Sequence, residues 1–416
     1  MEPGWSILPH SPKIVNIVFA FQYHLPLRLG GAEVGGDGLA RTLEERADVI
    51  RVTPSWGGRV RSGPGLRVFR ANGNLQSVAD NLKIIPRGVL AVRAAATEPR
   101  ADWIIANSLS AGVWAVLAAR TMGRGRPRVA VITRDYGWWC PTHVCRVVHG
   151  APWPDCGTVR FARTCSFETM QRYATKRSGV SYWLALMGRW FNARLTARTG
   201  RMADLRFANS ADLAARWLER EGSEGVVLGS GVPVDELQPP RANGSDDELG
   251  PFTVALMTRG SPGKGAHLVV EAARELNVDG SWRFVAYGNP GDVDETGVVD
   301  RHEALEHGAA LAAMAAADLV VVPSVYPEAL PRTAIEAQLM GTPVVGTPGA
   351  GTPEAIAPTG GLVAARTDSS ALAAALREAR MRLEHDGFDM PAARAWLEGQ
   401  HGISVVRTRF LDRLGS

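Results

Sequence analysis

The stretch "VVPSVYPEALPRTAIEAQLMGTPVVGTP", Val321 to Pro348, decides how the chain is read. "DLVVVPS" is a short β-branched run that stops at Pro323 and Ser324, as a buried strand does. "PRTAIEAQLMG" follows with helical spacing, Ala334, Ile335 and Leu339 falling on one face. Pro331 suits the first helical turn and Gly341 the residue just past the last. "TPVVGTP" then returns as a strand. The unit reads strand, loop, helix, strand, with Glu328 on the loop and Glu336 within the helix. A loop between a strand and a helix offers free backbone N–H groups and the positive end of a helix dipole, which together suit an anion. A glutamate on each side of such a place fits a ligand with hydroxyls beside its phosphates, because carboxylates accept hydrogen bonds from hydroxyls. For Glu336 alone, a solvated helix glutamate is the simpler expectation.

Outward from this unit the same rhythm fills the chain. Strands are expected at "KIVNIVFAF", "VIRVT", "DWIIANS", "RVAVITRD" and "LRFANS", with helices such as "GDGLARTLEERA" and "AGVWAVLAARTM" between them. The second half restarts with "FTVALMT", "WRFVAYG" and "DLVVVPS". At 416 residues the chain is too long for one ordinary core. "LQPPRANGSDDELGP", 237–251, is the expected linker. The expected division is a first domain over 1–237 with a Cys- and Trp-rich insertion at about 137–190, a second over 238–395, and a C-terminal helix over 396–416 that crosses back to the first. Strands alternating with helices on both sides imply two doubly wound α/β domains with parallel sheets. Their ligands are expected at the carboxyl ends of the strands, in the cleft between the domains.

An apolar content of 45% and a charged content of 21% are those of a globular protein. No apolar run approaches the roughly 20 residues of a membrane span. "IVNIVFAF" is too short for a signal peptide and lacks its flank, so the expected location is the cytoplasm. Residues 1–237 carry 31 Lys and Arg against 19 Asp and Glu, whereas the remainder carries 15 against 23. The basic half would suit an acidic acceptor, the inner face of an anionic membrane or nucleic acid; nucleic acid is not the expected partner. Cys140, Cys145, Cys156 and Cys165 cluster in one segment, but spacings of five, eleven and nine lack the paired hooks of a zinc site. A structural zinc there is the minor alternative.

Two glycine loops could meet phosphates. "LMTRGSPGKGAHLVVEAA" sets Arg259 and Lys264 between a strand and a helix. It is not the loop of a nucleoside triphosphatase, because Gly265 stands where that loop needs Ser or Thr for magnesium. Two cations five residues apart on a glycine loop do suit a diphosphate. "LRLGGAEVGGDGLARTL" opens a helix in the first half, with Gly30 and Gly31 at its start.

Taken together, "LGGAE", "ITRDYGWWCP", "FANS" before "GSGVPVDEL", "TRGSPGKG" and "PEALPRTAIEAQLMGTPVVGTPGAGTPEAI" resemble glycosyltransferase family 4, retaining enzymes of GT-B architecture. The last segment carries that family's E-x7-E pair, its Gly-Thr-Pro-Val strand and a trailing glutamate. The resemblance implies a donor that is a nucleotide-diphosphate sugar, UDP- or GDP-linked, and no other cofactor. Arg259 and Lys264 would hold its diphosphate, with Gly30, Gly31 and Gly231 approaching from the other domain. Glu336 would take the ribose. Glu328 would contact the sugar, with the backbone of Ala329, Leu330, Pro331, Arg332 and Thr333 around it. Metal is not expected, since cations and helix ends can stabilise the leaving diphosphate. Retention without a placed nucleophile implies attack on the same face, the leaving phosphate oxygen taking the acceptor's proton.

Two departures stand out. Arg134 occupies the place of a histidine common before the aspartate, leaving Asp135 for the sugar or acceptor role. Leu330-Pro331 replaces a common Phe-Gly. Arg134, Asp135, Tyr136, Trp138 and Trp139 are the acceptor-side candidates, aromatic faces being suited to sugar rings. The acceptor itself stays open between a sugar, a lipid-linked or cell-envelope glycan and a small specialised metabolite. An epimerase of the same architecture and a silent sugar-nucleotide-binding protein are the other readings.

Overall fold

The computed structural model describes residues 15–23, 31–56, 58, 62–71, 78–140, 179–237, 250–258, 262–288 and 297–415. Most of the linker (238–249) and most of the insertion (141–178) lie outside them.

Apolar runs make the strands. In the first domain β1 (Val15–Phe21) is followed by α1 (Gly31–Leu43), β2 (Ala47–Pro54), β3 (Leu66–Phe69), α2 (Val78–Ala95), β4 (Trp103–Asn107) and α3 (Leu109–Arg120). Then come β5 (Arg128–Thr133), a 3-10 turn at Tyr136–Trp138, α4 (Gly179–Arg201), β6 (Leu205–Ala208), α5 (Ala211–Glu221) and β7 (Val226–Val227). The seven strands form one sheet in the order β3-β2-β1-β4-β5-β6-β7, every neighbouring pair parallel. Parallel strands covered by helices on both faces bury both sets of side chains, so they read as unbroken apolar runs. Val18, Ala20 and Ile104 face one buried cluster, while Ile17, Phe19 and Ile105 face the other.

The second domain repeats the design with β8 (Phe252–Met257), α6 (Ala266–Leu276), β9 (Trp282–Tyr287), β10 (Asp300–His302), α7 (His307–Ala315) and β11 (Leu319–Val322). It continues with α8 (Arg332–Leu339), β12 (Val344–Gly346), α9 (Thr352–Ile356), β13 (Leu362–Val363) and α10 (Ser369–His385). Its six parallel strands run β10-β9-β8-β11-β12-β13. The strand order reverses between β1 and β4 in the first sheet and between β8 and β11 in the second. Ligands of such sheets bind beyond the strand ends at that reversal.

The C-terminal segment is two helices, α11 (Met390–His401) and α12 (Ile403–Gly415), where the sequence suggested one. Gly402 separates them in an extended conformation, and Val232 exchanges backbone hydrogen bonds with His401 and Ile403 at 2.8 Å each. Leu397 of α11 is buried in the second domain. Val406, Phe410 and Leu414 of α12 are buried in the first, where the Phe410 ring lies 4.6 Å from that of Phe207. Strands β3, β10 and β13 were not legible beforehand, being short or exposed pieces, β10 exposed at all three residues.

Candidate functional site

The two loops at the second sheet's reversal point are pressed together. One follows β8 and turns through Pro262–Lys264; the other follows β11 through Pro323 to Pro331. Gly265 has φ +73°, and a Cβ there would stand 1.9 Å from the Pro323 carbonyl oxygen. A Cβ at Gly263 would lie 2.4 Å from the Tyr326 ring, and the Gly263 carbonyl accepts the Val325 N–H at 2.9 Å. Only glycines permit this approach. It delivers Lys264 from one loop onto the Glu328 carboxylate of the other, where Nζ donates to Oε1.

Ser324 Oγ donates to the same Glu328 oxygen at 2.7 Å, and Lys264 Nζ sits 5.1 Å from the centre of the Tyr326 ring. Burial by itself would lower the lysine's pKa, but the Glu328 carboxylate and Tyr326 outweigh it and raise it. Burial and the adjacent Glu328 push the Tyr326 hydroxyl up to about 12, so it stays protonated at neutral pH. The cluster is therefore an ammonium, a carboxylate and two hydroxyls at the mouth of the sheet. Ser324 and Tyr326 escaped the sequence reading. The signal that could have found them is the pair of glycines flanking Lys264, which lets another segment of the chain pass close by.

Glu336 is 7% exposed, so it is not the solvated helix glutamate that the sequence alone would favour. It lies on α8, one turn beyond Arg332, whose Nε donates to its Oε1 at 2.6 Å. His307 Nε2, largely exposed, is 3.7 Å from the same oxygen. Arg332 Nη1 is buried with no hydrogen-bond partner among the described residues. Pro331 stands just before the helix rather than inside it, with φ −72° and ψ 103°. Ala329 and Leu330 are buried, and Thr333 is half-buried at the helix start. Arg259 and Gly30 lie outside the described residues; Gly31 begins α1. Gly231 has φ +69° and packs against Ile403 of α12.

The acceptor-side candidates are placed differently. Trp138 is 1% exposed, wedged against Gly112 of α3 and Gly200 of α4 and edge-on to Trp217 at 5.2 Å. It has no face for an acceptor, and its expected role is corrected to core packing. Trp139 is half-buried against the same Trp217 at 5.1 Å. Asp135 caps the short turn, its carboxylate accepting the Gly137 N–H at 2.8 Å. The buried Tyr136 donates its hydroxyl to Asp212 of α5 at 2.5 Å. Arg134 is 7% exposed and its Nε donates to Asn107 Oδ1, at the end of β4, at 2.6 Å. Burial, then the facing Arg332, lowers its pKa to about 10, with Glu33 acting in the opposite sense. Cys140 is buried, while Cys145, Cys156 and Cys165 lie outside the described residues.

Residues 251–380 match the family described as glycosyl transferases group 1. The matched domain is the one that carries Lys264, Glu328 and Glu336, and the family it matches is one of transferases. No curated protein matches the sequence. Among solved structures, HepE of Anabaena in complex with UDP-glucose is 18% identical, with a TM-score of 0.67 over 96% of this chain and 99% of that one. Sucrose-phosphate synthase of Thermosynechococcus elongatus is 16% identical, with a TM-score of 0.65 over 96% and 98%. A glycosyltransferase of Rickettsia africae ESF-5 is 16% identical, with a TM-score of 0.63 over 97% and 98%. The shared fold is GT-B, two Rossmann-like domains facing across a cleft.

Among the described residues no helix is long and apolar enough to cross a membrane. Among them, too, no group of three His, Cys, Asp or Glu side chains could hold a metal. Asp292 and Asp294 do form an Asp-x-Asp spacing of the kind that binds metal in other transferases; the expectation of a metal-free site passed over it, and both residues lie outside the described ones.

Proposed function

We propose that this protein is a retaining glycosyltransferase that moves a sugar from a UDP- or GDP-linked donor to an acceptor hydroxyl. The observation that carries the reading is the meeting of Lys264 and Glu328 at the second sheet's reversal point, with buried Glu336 on the helix that opens there. A nucleotide-diphosphate sugar has three chemically distinct parts, and the site offers a partner for each. Glu336 takes the ribose hydroxyls, held in place by Arg332. Lys264 and the N-terminal end of α8 face the diphosphate, and Arg259, five residues before Lys264, is proposed to join them. Glu328, fixed by Ser324, takes hydroxyls of the transferred sugar.

In the reaction the bond between the sugar's anomeric carbon and the β-phosphate oxygen breaks, and its electron pair goes to that oxygen. The acceptor oxygen forms the new bond on the same face, and its proton passes to the departing phosphate. Negative charge thus grows on the diphosphate as positive charge grows on the sugar. Lys264 and the helix dipole stabilise the first, and the Glu328 carboxylate, close to the sugar, tempers the second. The Lys264 ammonium and the Glu328 carboxylate, which pair with each other, are separately engaged by a seated donor. The complex of HepE with UDP-glucose supports the donor class, since that protein shares the fold. The basic first domain suits an acidic, sugar-containing or membrane-linked acceptor.

Calorimetric titration with UDP and with GDP tests the donor side. One of the two binds the wild-type protein, and Lys264→Ala weakens it by at least about tenfold, a single charge-assisted contact. Binding of neither, or unchanged binding in the variant, removes the assignment. The anomeric configuration of the product, read by NMR, tests retention.

A further inference from the structure

Glu354 belongs to α9 of the second domain, but its carboxylate is spent on the first. The Ala211 N–H of α5 donates to both of its oxygens, at 3.0 and 2.9 Å. Helix α5 already has its own cap, Ser210, whose Oγ accepts the Leu213 N–H at 3.3 Å. Glu354 and Ser210 thus take the Ala211 and Leu213 N–H groups, two of those that find no partner within the helix. A carboxylate at a helix N-terminus is also favoured by the helix dipole.

Both ends of this bridge lead to the proposed site. On the donor side, Gly351 at the start of α9 donates its N–H to the Glu328 carbonyl at 2.8 Å. A Cβ on Gly351 would lie 1.9 Å from the Ala329 carbonyl oxygen, so α9 is fastened directly beneath the Glu328 loop. On the other side, Asp212 accepts the Tyr136 hydroxyl at 2.5 Å and Arg216 Nη2 at 3.3 Å. Tyr136 follows Asp135 in the turn at the end of β5. Ala329 joins Tyr136, Ala208, Leu213 and Ala214 in one small apolar cluster that spans the two domains.

We propose that Glu354 is a positioning residue that sets the Glu328 loop of one domain at a fixed distance from the Asp135–Tyr136 turn of the other. It rests on the transfer reading above and touches neither substrate. A displacement of about 1 Å at a reacting centre can cost on the order of 100-fold in rate, which gives such a bridge its leverage. The bond also exists only while the domains stand together, because each half of it comes from a helix of a different domain.

The test uses the full chain and compares Glu354→Ala with Ser210→Ala. Both remove a partner from the same helix end, but only the first cuts a link between domains. Hydrogen exchange reads the Ala211 amide. Calorimetry reads UDP and GDP binding, and release of nucleoside diphosphate from UDP-glucose and GDP-mannose, with water as acceptor, reads turnover. Glu354→Ala is expected to expose that amide, leave nucleotide affinity within about twofold and lower kcat by about tenfold or more. Glu354→Gln, which keeps an accepting oxygen, is expected to recover part of that loss. Ser210→Ala is expected to lower the Tm and leave kcat unchanged. The proposal is overturned if that amide stays protected in Glu354→Ala, or if kcat is unchanged. It is equally overturned if Ser210→Ala lowers kcat as much, which would make Glu354 a helix cap only. A wild-type protein that releases no nucleotide from either donor counts against the transfer reading, and the amide protection still decides whether the bridge exists.

Discussion

The two domains repeat one design, a parallel sheet whose strand order reverses once, yet their reversal points are put to different use. In the second domain backbone against backbone fixes the loops, glycine against proline carbonyl, so Lys264 and Glu328 are positioned without being needed for packing. Beside the first sheet's reversal point, at the ends of β4 and β5, the side chains themselves are the structure. Arg134 is tied to Asn107, Asp135 caps its own turn, Tyr136 is tied to Asp212, and Trp138 fills the core. A site whose charges are held by main-chain contacts can release them to a ligand, because the fold does not lose its support when they let go. The turn after β5 cannot do this as freely, so its role is first that of a scaffold.

The largest expected effect breaks the comparison at Trp138. Trp138→Ala is expected to destabilise the protein by about 3–5 kcal/mol, the usual cost of emptying a fully buried aromatic site. Urea unfolding measures it. Were Trp138 an acceptor platform instead, the variant would keep wild-type stability and show its defect only as a raised KM for acceptor.

Next comes Lys264. Lys264→Ala is expected to keep the fold and lower turnover on the order of 100-fold or more, the cost of losing one preorganised charge opposite a developing anion. A Tm close to wild type alongside that loss would sharpen the contrast with Trp138. Near-normal turnover would erase it.

This contrast also explains what the sequence made legible. Both sheets were visible because strands buried on both faces must be continuously apolar, as "IVFAF", residues 17–21, and "LVVV" are. Glu328 and Glu336 were visible because one local unit carries both. Their neighbours were harder. That Arg332 would lie along Glu336 follows from the four-residue spacing, whereas the Lys264–Glu328 contact joins residues 64 apart and depends on which strands sit side by side. Trp138 was misread because a tryptophan next to a polar turn looks the same in sequence whether it faces a ligand or the core. What decided it was the pair of glycines at 112 and 200, distant in sequence, that leave room for the ring. Strand β10, polar and exposed, carried no apolar signal at all.

A smaller effect belongs to the point where the chain crosses between the domains. His401 is buried there, neither ring nitrogen has a hydrogen-bond partner among the described residues, and Trp396 packs edge-on at 5.6 Å. Burial, then the nearby Arg409, lowers its pKa from 6.5 to about 4. The unfolded chain therefore binds a proton below about pH 6.5 that the folded chain refuses until about pH 4. Stability is present above pH 6.5 and falls as the pH drops through this window, by at most ~1.4 kcal/mol per unit from this one group. His401→Gln is expected to flatten that part of the profile in chemical unfolding between pH 6.5 and 4.5. A slope unchanged by the substitution would assign the acid sensitivity to other groups.

The smallest expected effect is none at all, and it bears on which domain supplies the charge that balances the diphosphate. If Lys264, Arg259 and the start of α8 do so from the second domain alone, EDTA leaves the rate of nucleotide release unchanged. The sequence contains two places where a metal could intrude, and they make different predictions. A zinc held by Cys140, Cys145, Cys156 and Cys165 would serve the first domain's stability, so chelation would lower the Tm while the surviving folded protein kept its rate. A divalent ion on Asp292 and Asp294 would serve the reaction itself, so chelation would stop turnover, Mg²⁺ or Mn²⁺ would restore it, and Asp292→Asn would reproduce the loss without EDTA. The expected outcome is an unchanged rate in EDTA and in Asp292→Asn. A rate that tracks added metal would mean that Lys264 is too deeply paired with Glu328 to balance the diphosphate, and that the ionic cluster at the second sheet is a structural lock rather than a donor site.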